Sequence, residues 1–204
     1  MEVFFGTPSY DKAVTVDYNQ SLVQSAILLT KLGIEMHQEV LAGNCFIDLA
    51  RNRLVDSFLA STATDLIFVD ADVGFDARVL PRILNHSDEI VAGLVPKRST
   101  DSESDFHQNA LTGVIRDGLF QSMEAPTAFM RIKRQAFDRL KKPYFRTGSS
   151  EADFGEDIYF CRRWCETGQF LWIDADITFS HRGSKAWRGN FYEHCVSTGL
   201  LTRT

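Results

Sequence analysis

The segment Leu66-Ile67-Phe68-Val69 is an unbroken apolar run, and two aspartates, Asp70 and Asp72, follow it at once. Four apolar residues without alternation describe a strand buried on both faces, as in the middle of an open sheet with helices packed on either side. The chain around it repeats that arrangement. Glu2 to Gly6 (EVFFG) is a first strand, and Asp17 to Gly33 carries Leu22, Ala26, Leu29 and Leu32 at helical spacing until Gly33 stops it. Glu35 to Leu41 is a second strand. Ala42-Gly43-Asn44 then leads into a helix with the stripe Ile47, Ala50, Leu54 and Phe58, for which Asn44 is the expected N-cap. After the 66–69 strand come a short helix (Val79, Leu80, Ile83, Leu84) and the buried strand EIVAGLV, ending at Pro96. Strand and helix in alternation predict an α/β fold, with a mostly parallel central sheet and helices on both faces.

At 204 residues the chain is expected to be a single domain. Within it, 1–98 is the regular α/β half, 99–180 a second half, and 181–204 a tail. Beyond Lys97 the stretch 99–109 (STDSESDFHQN) is polar and aperiodic, the signature of a mobile surface loop. LTGVIRDGLFQSM then predicts a hairpin, AFMRI a strand and KRQAFDRL a short helix. ADFGEDIYFCRRWCETG predicts a helix opening with Glu156 and Asp157, and FLWIDADITF a last strand, followed by the polar, basic segment HRGSKAWRGN.

The charge balance, 22 basic against 27 acidic residues, gives a net charge of −5 and opposes the broad basic footprint of a protein that tracks phosphate backbones. Nucleic acid is therefore disfavoured as a partner. No stretch approaches the roughly 18 apolar residues of a membrane span, and the start MEVFFGTPSYD lacks a secretory pattern, so the expected location is the cytoplasm. Cys45, Cys161, Cys165 and Cys195 are too few and scattered for a disulfide framework. Cys161 and Cys165, one helical turn apart, could form half a zinc site with His181 or His194, but buried apolar cysteine is the commoner use of such residues.

Ligands of open parallel sheets bind beyond the carboxyl ends of the strands. That rule selects Thr7 to Asp11, Asp70 to Asp72, and Pro96 to Arg98. Two carboxylates at i and i+2 where a buried strand runs out can turn toward one hard cation, Mg²⁺ or Mn²⁺, holding a diphosphate. The plainer alternative is that they start a turn or cap the next helix.

In four stretches the chain resembles glycosyltransferases of the GT-A fold. They are VFFGTPSYD, DLARNRLVDSFL before LIFVDADVGF with its Asp-x-Asp, FGEDIYFCRRWCETG, and ITFSHRGS. Short stand-alone enzymes of this kind occur in bacteria, bacteriophages and large viruses, where the location would be the host cytoplasm. The resemblance covers nearly the whole chain and implies a nucleotide-sugar donor, most often a UDP-sugar, with a glycan or other hydroxyl-bearing acceptor. It implies that Thr7, Pro8, Tyr10 and Asp11 shape the nucleoside pocket, with Asp70 and Ala71 also on the donor. Asp72 would ligate the metal directly, Asp70 would reach the ribose or a metal-bound water, and His181 would be the third protein ligand. Asp157 would be the base of an inverting transfer, with Glu156 in reserve. Both also suit a helix first turn, where acids favour the dipole. The similar arginine of related sequences lies near the donor, which marks Arg51. From the sequence, Arg51 lies on a helix face opposite Ile47 and Leu54 and equally reads as a solvated charge. Lys185 and Arg188, flanking Trp187, would fold over the diphosphate as a lid, and Lys97 is a further cation of that kind. Pro126, Thr127 and Ala128 stand where related sequences often have glycine, on the acceptor side.

Two other readings fit parts of this pattern. A haloacid-dehalogenase-like phosphatase would use Asp70 as nucleophile and Asp72 as acid/base, but leaves residues 1–65 without a role. A non-catalytic module binding a sugar nucleotide or glycan has no chemical need for Asp70, Asp72, Asp157 and His181 together. The second Asp-x-Asp, Asp174 and Asp176, reads as a turn or edge feature.

Overall fold

A computed structural model describes residues 1–98, 106, 110–148, 154–183 and 186–201. The elements begin β1 (Glu2–Ser9), α1 (Val16–Lys31), β2 (Glu35–Ala42), α2 (Ile47–Ala60), β3 (Asp65–Val69), β4 (Val73–Phe75), α3 (Leu80–Asn85) and β5 (Ile90–Ala92). They continue with β6 (Leu111–Arg116), β7 (Leu119–Ser122), β8 (Phe129–Lys133), α4 (Glu156–Cys165), β9 (Leu171–Asp174), β10 (Thr178–Arg182), β11 (Ala186–Asn190) and α5 (Phe191–Ser197).

The main sheet has the order β2-β1-β3-β8-β5-β9-β7-β6. β1, β2, β3, β5 and β9 share one direction and β6 joins them, while β8 and β7 run against it. The sheet is thus mostly parallel, and its strand order reverses between β1 and β3, where a crevice forms beyond the carboxyl ends. Alternate residues of a strand face opposite sides, and here both sides are buried. Phe4, Leu66 and Phe68 pack on one face with Phe58, Phe160 and Trp164. Val3, Phe5, Ile67 and Val69 pack on the other with Tyr18, Leu29 and Phe179. Each apolar run is continuous because neither face is spared for water.

Local chemistry explains several boundaries. The β6–β7 turn places Asp117 and Gly118 at φ 51° and 76°, the double positive φ of a tight hairpin that Asp-Gly favours. Asn44 accepts from Phe46 N at 3.1 Å and closes a turn ahead of α2, so it does not cap the helix; Phe46 holds the cap position without a side-chain bond. The buried side of α1 is Tyr18, Ser21, Leu22, Ser25 and Leu29, and Leu32 is exposed. The segment after β8 forms a short 3₁₀ turn, Arg134–Asp138, in place of an α-helix. The predicted loop at 99–109 lies outside the described residues except for Phe106, which is buried.

The predicted last strand is two strands. β9 stays in the main sheet beside β5, and the chain turns at Asp174–Asp176 before β10 enters a second sheet of order β11-β10-β4. In this small sheet Val73, Gly74 and Phe75 pair with His181, Ser180 and Phe179. A Cβ on Gly74 would lie 2.5 Å from Ser180 Oγ and 2.7 Å from Asp17 Cβ, so the close passage of β4 between β10 and α1 requires glycine. Ser21 Oγ holds both polar groups of the Phe75 backbone at 2.8 Å, fixing β4 to α1.

Candidate active site at the carboxyl edge of the sheet

Three segments converge where β3 ends. The Asp70 amide donates to Ala128 O, and Thr15 N donates to Ala71 O at 2.9 Å, which draws the loop after β1 against the Asp-Ala-Asp turn. A cleft of about 460 Å³ opens there, lined by Pro8 to Asp11, Ala13 to Thr15, Asn44, Cys45, Ile47, Asp70 to Asp72, and Arg98. Its size and mixed lining suit a small nucleotide. Tyr10 is 73% exposed at the rim, with its ring open for stacking. Asp11 also lines the cleft, and its Oδ1 accepts from Ala13 N at 3.2 Å and Ser9 Oγ at 3.4 Å. Thr7 does not line the cleft: it is buried, and its hydroxyl shares a 2.6 Å hydrogen bond with Tyr18.

Asp72 and His181 meet although they are far apart in sequence, because β4 and β10 are paired. His181 Nε2 lies 3.5 Å from Asp72 Oδ2. His181 Nδ1 lies 2.7 Å from Pro96 O, a carbonyl that can only accept, so Nδ1 carries a proton and the ring is oriented with Nε2 toward Asp72. Burial pushes the Asp72 carboxyl up, but His181 and Arg98 together hold it below its ordinary value. Arg98, beyond the end of β5, reaches Asp72 Oδ2 at 3.0 Å.

Arg51 is 3% exposed and lies on the inner face of α2 with Ala50 and Leu54. This corrects the sequence expectation of a face opposite Leu54; four residues are about one turn, so positions 47 and 51 lie on nearly the same side. Its Nη2 donates to Asp70 Oδ1 and its Nε to Glu156 Oε1, both at 2.9 Å. Burial opposes the charge on Arg51, yet the two carboxylates outweigh it and raise its pKa overall. Arg51 therefore ties the end of β3 to the start of α4, and its Nη1 is buried without a partner.

Beside Glu156, Asp157 is raised above the ordinary carboxylate value, first by burial and then by the negative charge of Glu156. A carboxylate so placed holds a proton more strongly than one in water, which is what a general base needs. A Cβ on Gly155 would lie 2.6 Å from Asp157 Oδ1, so glycine before α4 leaves room for that carboxylate.

Lys97 is half-buried and is not among the residues lining the cleft. Lys185 lies outside the described residues. Arg188 lines a separate groove of about 720 Å³ between α1 and the small sheet, with Asp17, Arg182 and Asp176. Cys161 and Cys165 bond separately, to Ala125 and to Met123 O, and the His194 ring packs on Phe106 and Phe191. Among the described residues no three His, Cys, Asp or Glu gather in one metal-binding group.

Several supporting residues carry no motif of their own. Asn52 accepts from Tyr144 N and Phe145 N and donates to Phe145 O at 2.7 Å, fixing the approach to α4. Its place one residue after Arg51 was the only sequence signal for it. Arg98 had a better one, lying just past the carboxyl end of a buried strand.

No protein-family model matches the chain, and no curated protein sequence matches it. Among solved structures it is similar to A197 from STIV, with a TM-score of 0.61 and 20% identity over 90% of this chain and 86% of that one. It is also similar to TarS 1-349 from S. aureus, with a TM-score of 0.51 and 12% identity over 85% of this chain. The match spans 58% of the TarS chain, and the complex of TarS 1-349 with UDP aligns with the same TM-score. Likeness at these identities speaks to the fold, and the fold is GT-A-like. No helix among the described residues is long and apolar enough to cross a membrane.

Proposed function

We propose that the chain transfers a sugar from a nucleotide sugar, with UDP as the nucleotide, to an acceptor hydroxyl, with inversion and with the help of Mn²⁺ or Mg²⁺. The observation that carries this reading is the meeting of His181 with Asp72, which lines the cleft, at the switch point of a GT-A-like sheet. UDP is the nucleotide bound in the TarS complex, and that supports the choice of donor.

Asp72 Oδ2 and His181 Nε2 supply an anionic oxygen and a neutral nitrogen, a donor pair that fits Mn²⁺ or Mg²⁺ when water and diphosphate complete the shell. Asp70 is engaged by Arg51, so its role is at the ribose or a metal-bound water. The cation would neutralise charge developing on the departing diphosphate. Tyr10 stacks on the base, and Asp11 accepts from base or ribose. Arg51 keeps Asp70 and Glu156 in place, and Asp157 takes the proton of the attacking hydroxyl. Engagement of Asp70 Oδ1 by a buried arginine counts against its use as a phosphatase nucleophile, and residues 1–65, which that reading leaves idle, build β1, α1, β2 and α2.

A panel of nucleotide sugars, assayed for Mn²⁺-dependent release of nucleoside diphosphate, tests the proposal. Release is expected with a UDP-sugar and is expected to vanish in Asp72→Ala and His181→Ala. Release from no donor, or release indifferent to both substitutions, overturns it.

A further inference from the structure

Among the described residues Asp72 Oδ2 has His181 Nε2 at 3.5 Å and Arg98 Nη1 at 3.0 Å. Arg98 lines the same cleft as Asp70, Ala71 and Asp72, and half of its side chain is exposed. Its Nη1 also lies 3.5 Å from Arg182 O. The chain two residues before it is held, because Pro96 O accepts from His181 Nδ1 at 2.7 Å. The half-exposed guanidinium can therefore move while the Pro96 carbonyl stays against the site. An ion pair this exposed is weakly held, and a divalent cation competes for the same oxygen with twice the charge.

We infer that Arg98 is a diphosphate-binding residue that rests on Asp72 Oδ2 when the cleft is empty, and turns to the diphosphate when a divalent cation takes that oxygen. The inference rests on the metal reading given above. In the empty cleft Arg98 offsets the charge of Asp72, and a diphosphate would meet a paired, neutral edge. With the cation on Asp72 the freed guanidinium adds a second positive group, whose planar fork suits two phosphate oxygens at once. Metal and nucleotide then favour each other, since each is bound more readily after the other has engaged its share of Asp72 and Arg98.

The test measures Mn²⁺ binding by electron paramagnetic resonance, and UDP and uridine binding by calorimetry at saturating Mn²⁺. Wild type, Arg98→Gln, Arg98→Lys and Asp72→Ala are compared. Arg98→Gln is expected to bind Mn²⁺ alone several-fold more tightly, because its competitor is gone. It is expected to bind UDP about tenfold more weakly, as suits loss of a charge-assisted hydrogen bond, with uridine unchanged and Arg98→Lys in between. Both shifts are required. If either is missing, or uridine weakens as much as UDP, while Asp72→Ala still abolishes Mn²⁺ binding, the role of Arg98 is overturned and the metal site stands. Mn²⁺ binding that survives Asp72→Ala, or is missing in the wild type, overturns both.

Discussion

The tripeptide Asp-Ala-Asp occurs twice, at 70–72 and at 174–176, each time at the end of a strand running in the same direction of one sheet. Each is followed by a strand of the small sheet, and these two strands pair so that Phe75 lies opposite Phe179. The two copies nonetheless differ in their partners. Asp174 is 3% exposed, and Arg82 bridges it to Asp176 at 2.8 and 2.9 Å, with His86 closing the other Asp174 oxygen. At the first copy Asp70 and Asp72 take different partners, Arg51 on one and Arg98 with His181 on the other, brought from α2, the end of β5 and β10. One arginine on both acids closes a turn. Partners divided among separate elements leave a cleft beside the acids.

Substitutions at matched positions can break this contrast. Asp72→Ala is expected to lower nucleoside diphosphate release on the order of a thousandfold, the scale of a lost metal ligand. The matched Asp176→Ala is expected to leave release roughly unchanged, and equal losses in the two variants would erase the distinction. Asp157→Asn should lower turnover by about 10²- to 10⁴-fold, as expected for a general base. Its stability effect has the opposite sign to the usual loss. A carboxyl raised in the folded state favours folding when protonated, and that contribution is lost as pH rises through the folded-state value. Asp157→Asn should therefore hold or raise the melting temperature at pH 7 and gain less at pH 4; a clear fall at pH 7 would contradict the raised value. Asp174→Asn should cost about 1–3 kcal/mol in urea unfolding with little change in turnover per folded molecule, because Arg82 loses a buried partner but is itself partly exposed. The smallest effect is in Glu156→Gln. Removing the negative neighbour, and releasing Arg51 from it, should move the acid limb of the pH–rate profile to lower pH; no movement, or movement upward, breaks the link between Glu156 and Asp157.

The α/β alternation, both central apolar strands and the hairpin were legible because local period and turn chemistry decide them. The sequence did not reveal the direction of β8, since Phe129 to Lys133 looks the same in either orientation. Nor did it reveal the break between β9 and β10, where a second apolar strand follows the aspartates after only a turn. Arg131 shows why buried charge is hard to foresee. It sits fully buried in β8 and donates to Ile83 O, His86 O and Asp88 O, carbonyls at the end of α3 and beyond that only the folded chain brings near. Within the site, Asp70, Asp72 and Tyr10 were readable from strand ends. Arg51 needed the correct helix face, and Thr7 proved to be spent on Tyr18.

The pairing of β4 with β10 also sets an order in time. Asp70 and Asp72 are made early in synthesis, with β1 to β4, whereas His181 arrives near the end of the described chain. A growing chain can fold much of its first half long before Asp72 has its histidine, and the long loop closed by that pairing forms late because distant contacts are slow to establish. The Asp72–His181 contact therefore arrives with the last strands, and a chain cut short before Thr178 would keep much of the sheet while lacking His181 altogether.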